Sequence, residues 1–227
     1  MDAPGPRTST AREQLSALVT RGVSWEGYIG RAAQTGARPA AVLVLLGVLD
    51  GLPGVHPARA VPADLDVLLV GRASTLRHHS GQVAFPGGRV DPGDAGPEAA
   101  AVREAVEETG LDPSGVEVLG TLGELAVPVS NHRVTPVLAW WSRPSPVGVV
   151  DVGESSVVFR APVADLLDPE NRRTTRHRSG GLVYRSPAFL AGPHLVWGFT
   201  AIVLDRLFDA LGWAEPWDRR REVEAPV

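Results

Sequence analysis

The sequence predicts a mixed α/β (α+β) chain, and three observations carry that expectation. Residues 40–49 and 66–72 are short Val- and Leu-rich runs beside turn residues or a loop. The first fits a buried strand or a buried helix by pattern alone, and both are read as strands. Residues 97–110 read as a helix punctuated at both ends. Pro97 suits a first position whose N–H has no partner anyway, and Gly110 suits the stop past the last turn. Residues 197–211 carry Phe199, Ile202, Val203, Leu207 and Leu211 as the apolar face of an amphipathic helix.

Taken in order, residues 1–9 read as a flexible N-terminus, with two prolines and a glycine in a polar stretch. Leu15, Leu18 and Val19 recur at helical spacing within 10–23, and a weaker helical segment covers 25–34. The runs 40–49 and 66–72, separated by turn residues and a polar loop, are read as neighbouring strands of a mixed sheet. Residues 116–125 read as a strand pair broken at Gly120, and 128–131 as a loop. Residues 133–141 form another strand, in which Pro136 predicts an edge or a bulge. Trp140 and Trp141 either pack or stack a base. A Pro-rich turn follows at 142–148 and a short helix at 162–167. The basic run RRTTRHR at 172–178 reads as a solvated loop, and 182–185 as a strand. With no repeat and no visible linker, the expected organisation is one domain over 10–212. A loosely attached tail at 213–227 follows it.

Composition removes several function classes. The chain has no cysteine, so neither a disulfide framework nor a thiolate metal site is available. A formal charge of −4 argues against a general nucleic-acid binder. No leader opens the sequence, and no apolar run approaches the roughly 18 residues of a membrane span. A cytoplasmic protein acting on a small molecule is expected, without nucleic-acid or membrane partners and with a homodimer left open.

The chemistry concentrates in residues 68–111. On the helix, Glu104 and Glu108 share a face and Glu107 lies three positions from Glu104. The opposing stripe carries Ala101, Val102, Ala105 and Thr109, small enough to lie against a sheet. Arg103 reaches Glu107 at i,i+4, while Glu104 and Glu108 call for a hard divalent cation. Oxygen-only ligands favour magnesium or manganese over zinc. The glutamates alone also leave a solvated acidic face open. Ahead of them, the Phe85-Pro86-Gly87-Gly88 turn lets backbone approach a ligand or metal closely, so Gly88 is a candidate main-chain ligand. Arg72 and Arg77 suit phosphate oxygens. The adjacent His78 and His79 point apart and make a poor metal pair.

This stretch resembles the Nudix box, G-x5-E-x7-R-E-U-x-E-E-x-G-U, with U a bulky aliphatic. Gly88 opens it, and Arg103, Glu104, Glu107, Glu108, Gly110 and Leu111 close it. Asp94 stands in place of the first glutamate, eight residues rather than seven separate it from Arg103, and Ala105 is small for its position. The coenzyme A pyrophosphatase subfamily shows the same departures. Its upstream signature, L-L-T-x-R-[S/A]-x3-R-x3-G-x3-F-P-G-G, is matched by Leu68, Leu69, Arg72, Ala73, Arg77, Gly81 and the turn at Phe85, with Val70 replacing threonine. Similarity by pattern continues through 133–136, 158–167 and 197–201.

The resemblance implies a Nudix fold, a mixed β-sheet sandwiched between helices. It implies hydrolysis of coenzyme A, or an acyl thioester of it, with Mg2+ or Mn2+. Glu104, Glu107, Glu108 and Gly88 are then the metal-site candidates, and Arg103, Glu104, Glu107 and Glu154 the catalytic ones. Arg72, Arg77, Gly81 and Phe85 are the substrate-binding candidates. Glu154 stands where several Nudix enzymes place a further carboxylate. Two alternatives are a Nudix hydrolase of ADP-ribose or NADH, and a non-catalytic nucleotide sensor. The upstream motif disfavours the first, and the three retained helical glutamates disfavour the second.

Overall fold

The computed structural model describes residues 10–25, 36–48, 52–73, 82–179 and 182–226. In chain order the elements are α1 (Ala11–Arg21), β1 (Arg38–Val48), β2 (Leu65–Arg72), β3 (Val83–Ala84), β4 (Gly87–Arg89) and α2 (Pro97–Thr109). Then come β5 (Val116–Thr121), β6 (Leu125–Val127), β7 (His132–Trp141), β8 (Ser155–Pro162) and α3 (Val163–Leu167). The chain closes with β9 (Arg172–Ser179), β10 (Leu182–Ala191), β11 (His194–Val196), α4 (Gly198–Leu211) and β12 (Glu222–Glu224).

The two Val- and Leu-rich runs are β1 and β2, paired antiparallel as neighbours. Strand β1 also pairs in parallel with β7 from Arg38↔His132 to Leu46↔Trp140, which makes the sheet mixed. Its path is β3-β2-β1-β7-β5, with β4 on β1, β6 on β7 and β8 on β2. Because successive strand side chains point to opposite faces, β1 feeds two cores. Val44 and Leu46 join α1 and α4 side chains such as Leu15, Leu18, Leu204 and Phe208. Ala41, Leu43 and Leu45 lie with Ala100, Ala101 and Ala105 of α2. The expected sandwich of sheet between helices is therefore present.

The N-terminal helix begins at a capping box: Glu13 N–H donates to Thr10 Oγ1, and Thr10 N–H to Glu13 Oε2. The weaker helical expectation at 25–34 lies outside the described residues beyond Trp25, whose Nε1 donates to Leu122 O at 2.9 Å. The strand pair expected at 116–125 divides elsewhere. Gly120 is a bulge inside β5, while the break falls at 122–124, and β5 and β6 pair with β7 rather than with each other. A side chain at Gly120 would strike Val19 of α1, so this glycine marks close helix–sheet contact.

Pro136 sits in a central strand, not at an edge. Leu122 N–H donates to Pro136 O, so that side of Pro136 faces the interruption between β5 and β6, where a missing N–H breaks no ladder bond. Trp141 is buried beneath α2 and Trp140 packs against the other core, so both are packing residues.

Two further expectations are corrected. The basic run at 172–178 is the strand β9, and with β10, β11 and β12 it builds a second sheet of order β11-β10-β9-β12. Arg172 is fully buried. Its Nη2 donates to Asp205, and its guanidinium lies 4.3 Å from the Phe189 ring centroid and 4.6 Å from that of Trp217. The loose tail expected after 212 instead covers this arginine with Trp217 and adds β12 in parallel to β9. Among the described residues no helix is long and apolar enough to cross a membrane.

Candidate active site

The site is assembled where β4 lies against β1 and α2 crosses over both. Strand β4 pairs Ala41 with Gly88 and Val42 with Gly87, and Leu43 N–H donates to Pro86 O at 2.8 Å. Phe85 is buried in the core below, so it anchors the turn. A Cβ on Gly87 would fall on the Ala41 and Val42 backbone, and one on Gly88 on the Glu104 carboxylate. Gly87 is thus required by close backbone approach, whereas a side chain at Gly88 would displace the Glu104 carboxylate.

Helix α2 starts at Pro97 and ends on Gly110 in the left-handed region (φ 70°, ψ 15°), as the punctuation predicts. It buries Ala100, Ala101, Ala105 and Thr109, while Val102 is only partly buried. That seating turns Glu104 and Glu108 toward the glycine turn. Gly87 N–H donates to Glu108 Oε2 at 3.0 Å. Burial is the main cause that pushes the Glu108 carboxyl up to about 7, aided by the charges of Glu104 and Glu154. The Gly87 N–H and the positive charge of Arg72 oppose the rise. Glu104 is likewise raised, first by burial, with Arg103 pulling the other way.

Arg103 organises the outer side of the helix. Its Nε and Nη2 each reach one Asp94 carboxylate oxygen at 3.0 Å, a fork-to-fork pair. Nη1 donates to Glu104 and to Glu107, both at 3.0 Å, and Nη2 also reaches Arg89 O. The guanidinium holds Asp94 below the usual carboxylate range, and Asp94 raises Arg103 in turn. The shorter acid at 94 therefore meets the arginine despite the extra residue between them. Backbone Asp91 N–H fixes it from behind at 2.8 Å.

The remaining candidates divide. Glu107 is more than half exposed and bound by Arg103, outward of the other two glutamates. Glu154 is exposed immediately before β8, its carbonyl accepting from Ala73 N–H at 2.9 Å, and its charge is felt at Glu108. Arg72 ends β2 with a buried Nε that has no hydrogen-bond partner among the described residues. Arg77, Gly81, His78 and His79 lie outside the described residues. Asp91 and the Arg89 carbonyl, both partners of Arg103, were not singled out from sequence. The only signal for them was their position between the glycine turn and the helix.

Among the described residues no three carboxylate or imidazole groups converge as a ready metal cage. Instead the Arg103 guanidinium is the positive group between Glu104 and Glu107. The donor chemistry still fits a hard divalent cation. Glu104 and Glu108 are oxygen donors whose charged forms burial disfavours, and they stand beside a turn stripped of Cβ atoms.

A glycine turn opening onto a carboxylate helix, carried by a helix-flanked mixed sheet, is the architecture of a Nudix hydrolase. Residues 57–176 match the family described as NUDIX domain. The mitochondrial coenzyme A diphosphatase NUDT8 of Homo sapiens is 37% identical over 179 residues, 78% of this chain and 71% of that protein. The uncharacterized Nudix hydrolase NudL of Cronobacter sakazakii is 37% identical over 153 residues, 64% of this chain and 75% of that one. Among solved structures, the Nudix hydrolase RenU of M. smegmatis shares the fold. Its TM-score is 0.51 at 22% identity, covering 81% of this chain and 91% of that chain. The chain belongs to the Nudix family, whose hydrolases generally work with divalent metal ions.

Proposed function

We propose that this protein hydrolyses the diphosphate of coenzyme A, or of an acyl thioester of it, to 3′,5′-ADP and 4′-phosphopantetheine or its acylated form. The observation that carries this reading is the joining of two motifs at one turn. The upstream signature ends in the same Phe85-Pro86-Gly87-Gly88 that seats Glu104 and Glu108. The resemblance of this chain to a coenzyme A diphosphatase over most of its length supports the substrate.

Glu104 and Glu108 would hold the metal, Mg2+ or Mn2+, and the Gly88 carbonyl and Glu107 would be its further ligands. A divalent cation bound there supplies charge neutralisation at the diphosphate and a lowered pKa for the attacking water. Arg103, itself held by Asp94, fixes the rotamers of Glu104 and Glu107. Arg72, whose charge already acts on Glu108, lies against the diphosphate oxygens. Glu154 takes a proton from water as its oxygen bonds to phosphorus and the bridging P–O bond breaks.

A panel of coenzyme A, acetyl-coenzyme A, ADP-ribose and NADH with Mg2+ or Mn2+ tests the reading, with Glu108→Gln as control. Release of 3′,5′-ADP from coenzyme A, abolished in the variant, is the expected result. Preference for ADP-ribose would overturn the substrate, and tight binding without turnover would overturn the enzyme.

A further inference from the structure

A cavity of about 560 Å³ lies away from the carboxylate helix, at the seam between the two sheets. Its apolar walls include Phe159, Ala161 and Leu190, and His194 stacks on Phe159 with ring centroids 4.8 Å apart. Asp165, Asp168 and Asn171 are among its polar groups. The wall at Val55 is pinned, because His56 N–H donates to Asp165 Oδ1 at 2.8 Å and His56 Nε2 meets Glu215 at 3.1 Å. With Asp165, Asp168 and Arg160 all in its lining, this cavity carries charges of both signs. It suits an uncharged chain with hydrogen-bonding groups and an apolar end.

Strand β8 links this cavity to the catalytic end. Glu154, immediately before the strand, acts on Glu108, and Phe159 to Pro162 at its far end line the cavity. Five strand residues span roughly 16 Å. Among the described residues β8 pairs with β2 alone, so no described strand pairs with its other edge at Val157 to Phe159. These three residues are only partly buried.

We propose that the β8 edge and this cavity form the subsite for the pantetheine arm, which lies along the edge with its thiol or acyl end against Phe159 and His194. The proposal rests on the coenzyme A reading above. The arm is uncharged, carries two amides able to bond a strand edge, and extends roughly 14 Å by backbone-like dimensions. Its length therefore matches the distance from Glu154 to the cavity. The same placement makes thioesters the better substrates, since each acyl methylene buried adds about fourfold to affinity.

Steady-state kinetics on coenzyme A and its acetyl, butyryl and hexanoyl thioesters test this in the wild type, Ala191→Trp and Phe159→Ala. Ala191 lines the cavity, so tryptophan there fills it. The wild-type KM is expected to fall with chain length. Ala191→Trp should abolish that dependence and raise the hexanoyl KM about tenfold with kcat little changed. Phe159→Ala should shift the preference to longer chains. General damage would move all four substrates equally. A flat series in the wild type, or an unaltered slope in either folded variant, overturns the subsite. Absence of any coenzyme A turnover in the wild type instead overturns the substrate reading on which it rests.

Discussion

Glu108 combines burial with two carboxylate neighbours, and against the opposing Gly87 N–H and Arg72 charge its proton is hard to remove. A carboxyl raised to about 7 in the fold and ordinary when unfolded stabilises the metal-free protein fully below about pH 4.5. That contribution is lost progressively as pH rises from about 4.5 through about 7, because over that range the unfolded chain has released a proton that the folded state still holds. Metal-free thermal melts should therefore show a loss on the order of 1–2 kcal/mol from this group between pH 5 and 8. Glu108→Gln should flatten it, and added Mg2+ should raise Tm more at pH 8 than at pH 6. A Glu108→Gln profile identical to the wild type would refute the assignment. Arg103 makes a second residue-scale test. Lysine cannot fork onto Asp94 while also holding Glu104 and Glu107, so Arg103→Lys should lower kcat by about 10–100-fold while far-UV circular dichroism is kept. The glutamates and this arginine were legible because i,i+4 geometry is local. The Asp94 contact was hidden by the extra residue in the loop, which only the folded path absorbs.

At the scale of elements, the site is a matter of distance between β4 and α2. The Gly88 backbone is so close to Glu104 that an added methyl has no room. Gly88→Ala should push the carboxylate aside and cost metal affinity at least tenfold by isothermal titration, with a smaller effect on Tm. Helix α2 could be read from sequence because Pro97 and Gly110 act through their own backbone chemistry. The strands were harder. Gly120 and Pro136 both carry local signals of irregularity, yet their meaning depends on partners far along the chain. The glycine admits Val19 from α1, and the proline faces the gap between β5 and β6. Edge or centre is a property of the sheet and not of the strand.

At the scale of the molecule, the second sheet was the least legible part, and Arg172 shows why. In sequence it opens a basic run resembling a solvated loop; in the fold it is sealed by Phe189 from β10, Trp217 from the C-terminal segment and Asp205 from α4. Burial pulls its pKa down while Asp205 opposes that shift, and its Nε and Nη1 have no hydrogen-bond partner among the described residues. Such a pair is costly to break from one side, because the surviving charge stays buried. Asp205→Asn should therefore destabilise the protein by about 3–5 kcal/mol in urea unfolding, and Arg172→Leu by a similar amount. The double variant Arg172→Leu/Asp205→Leu should recover most of the loss, since it leaves no buried charge unpaired. Additive losses in the double variant would show that the two residues act independently. Restoring stability in this way should leave kcat close to wild type, because the pair joins β9 to α4 and neither element carries the proposed catalytic carboxylates.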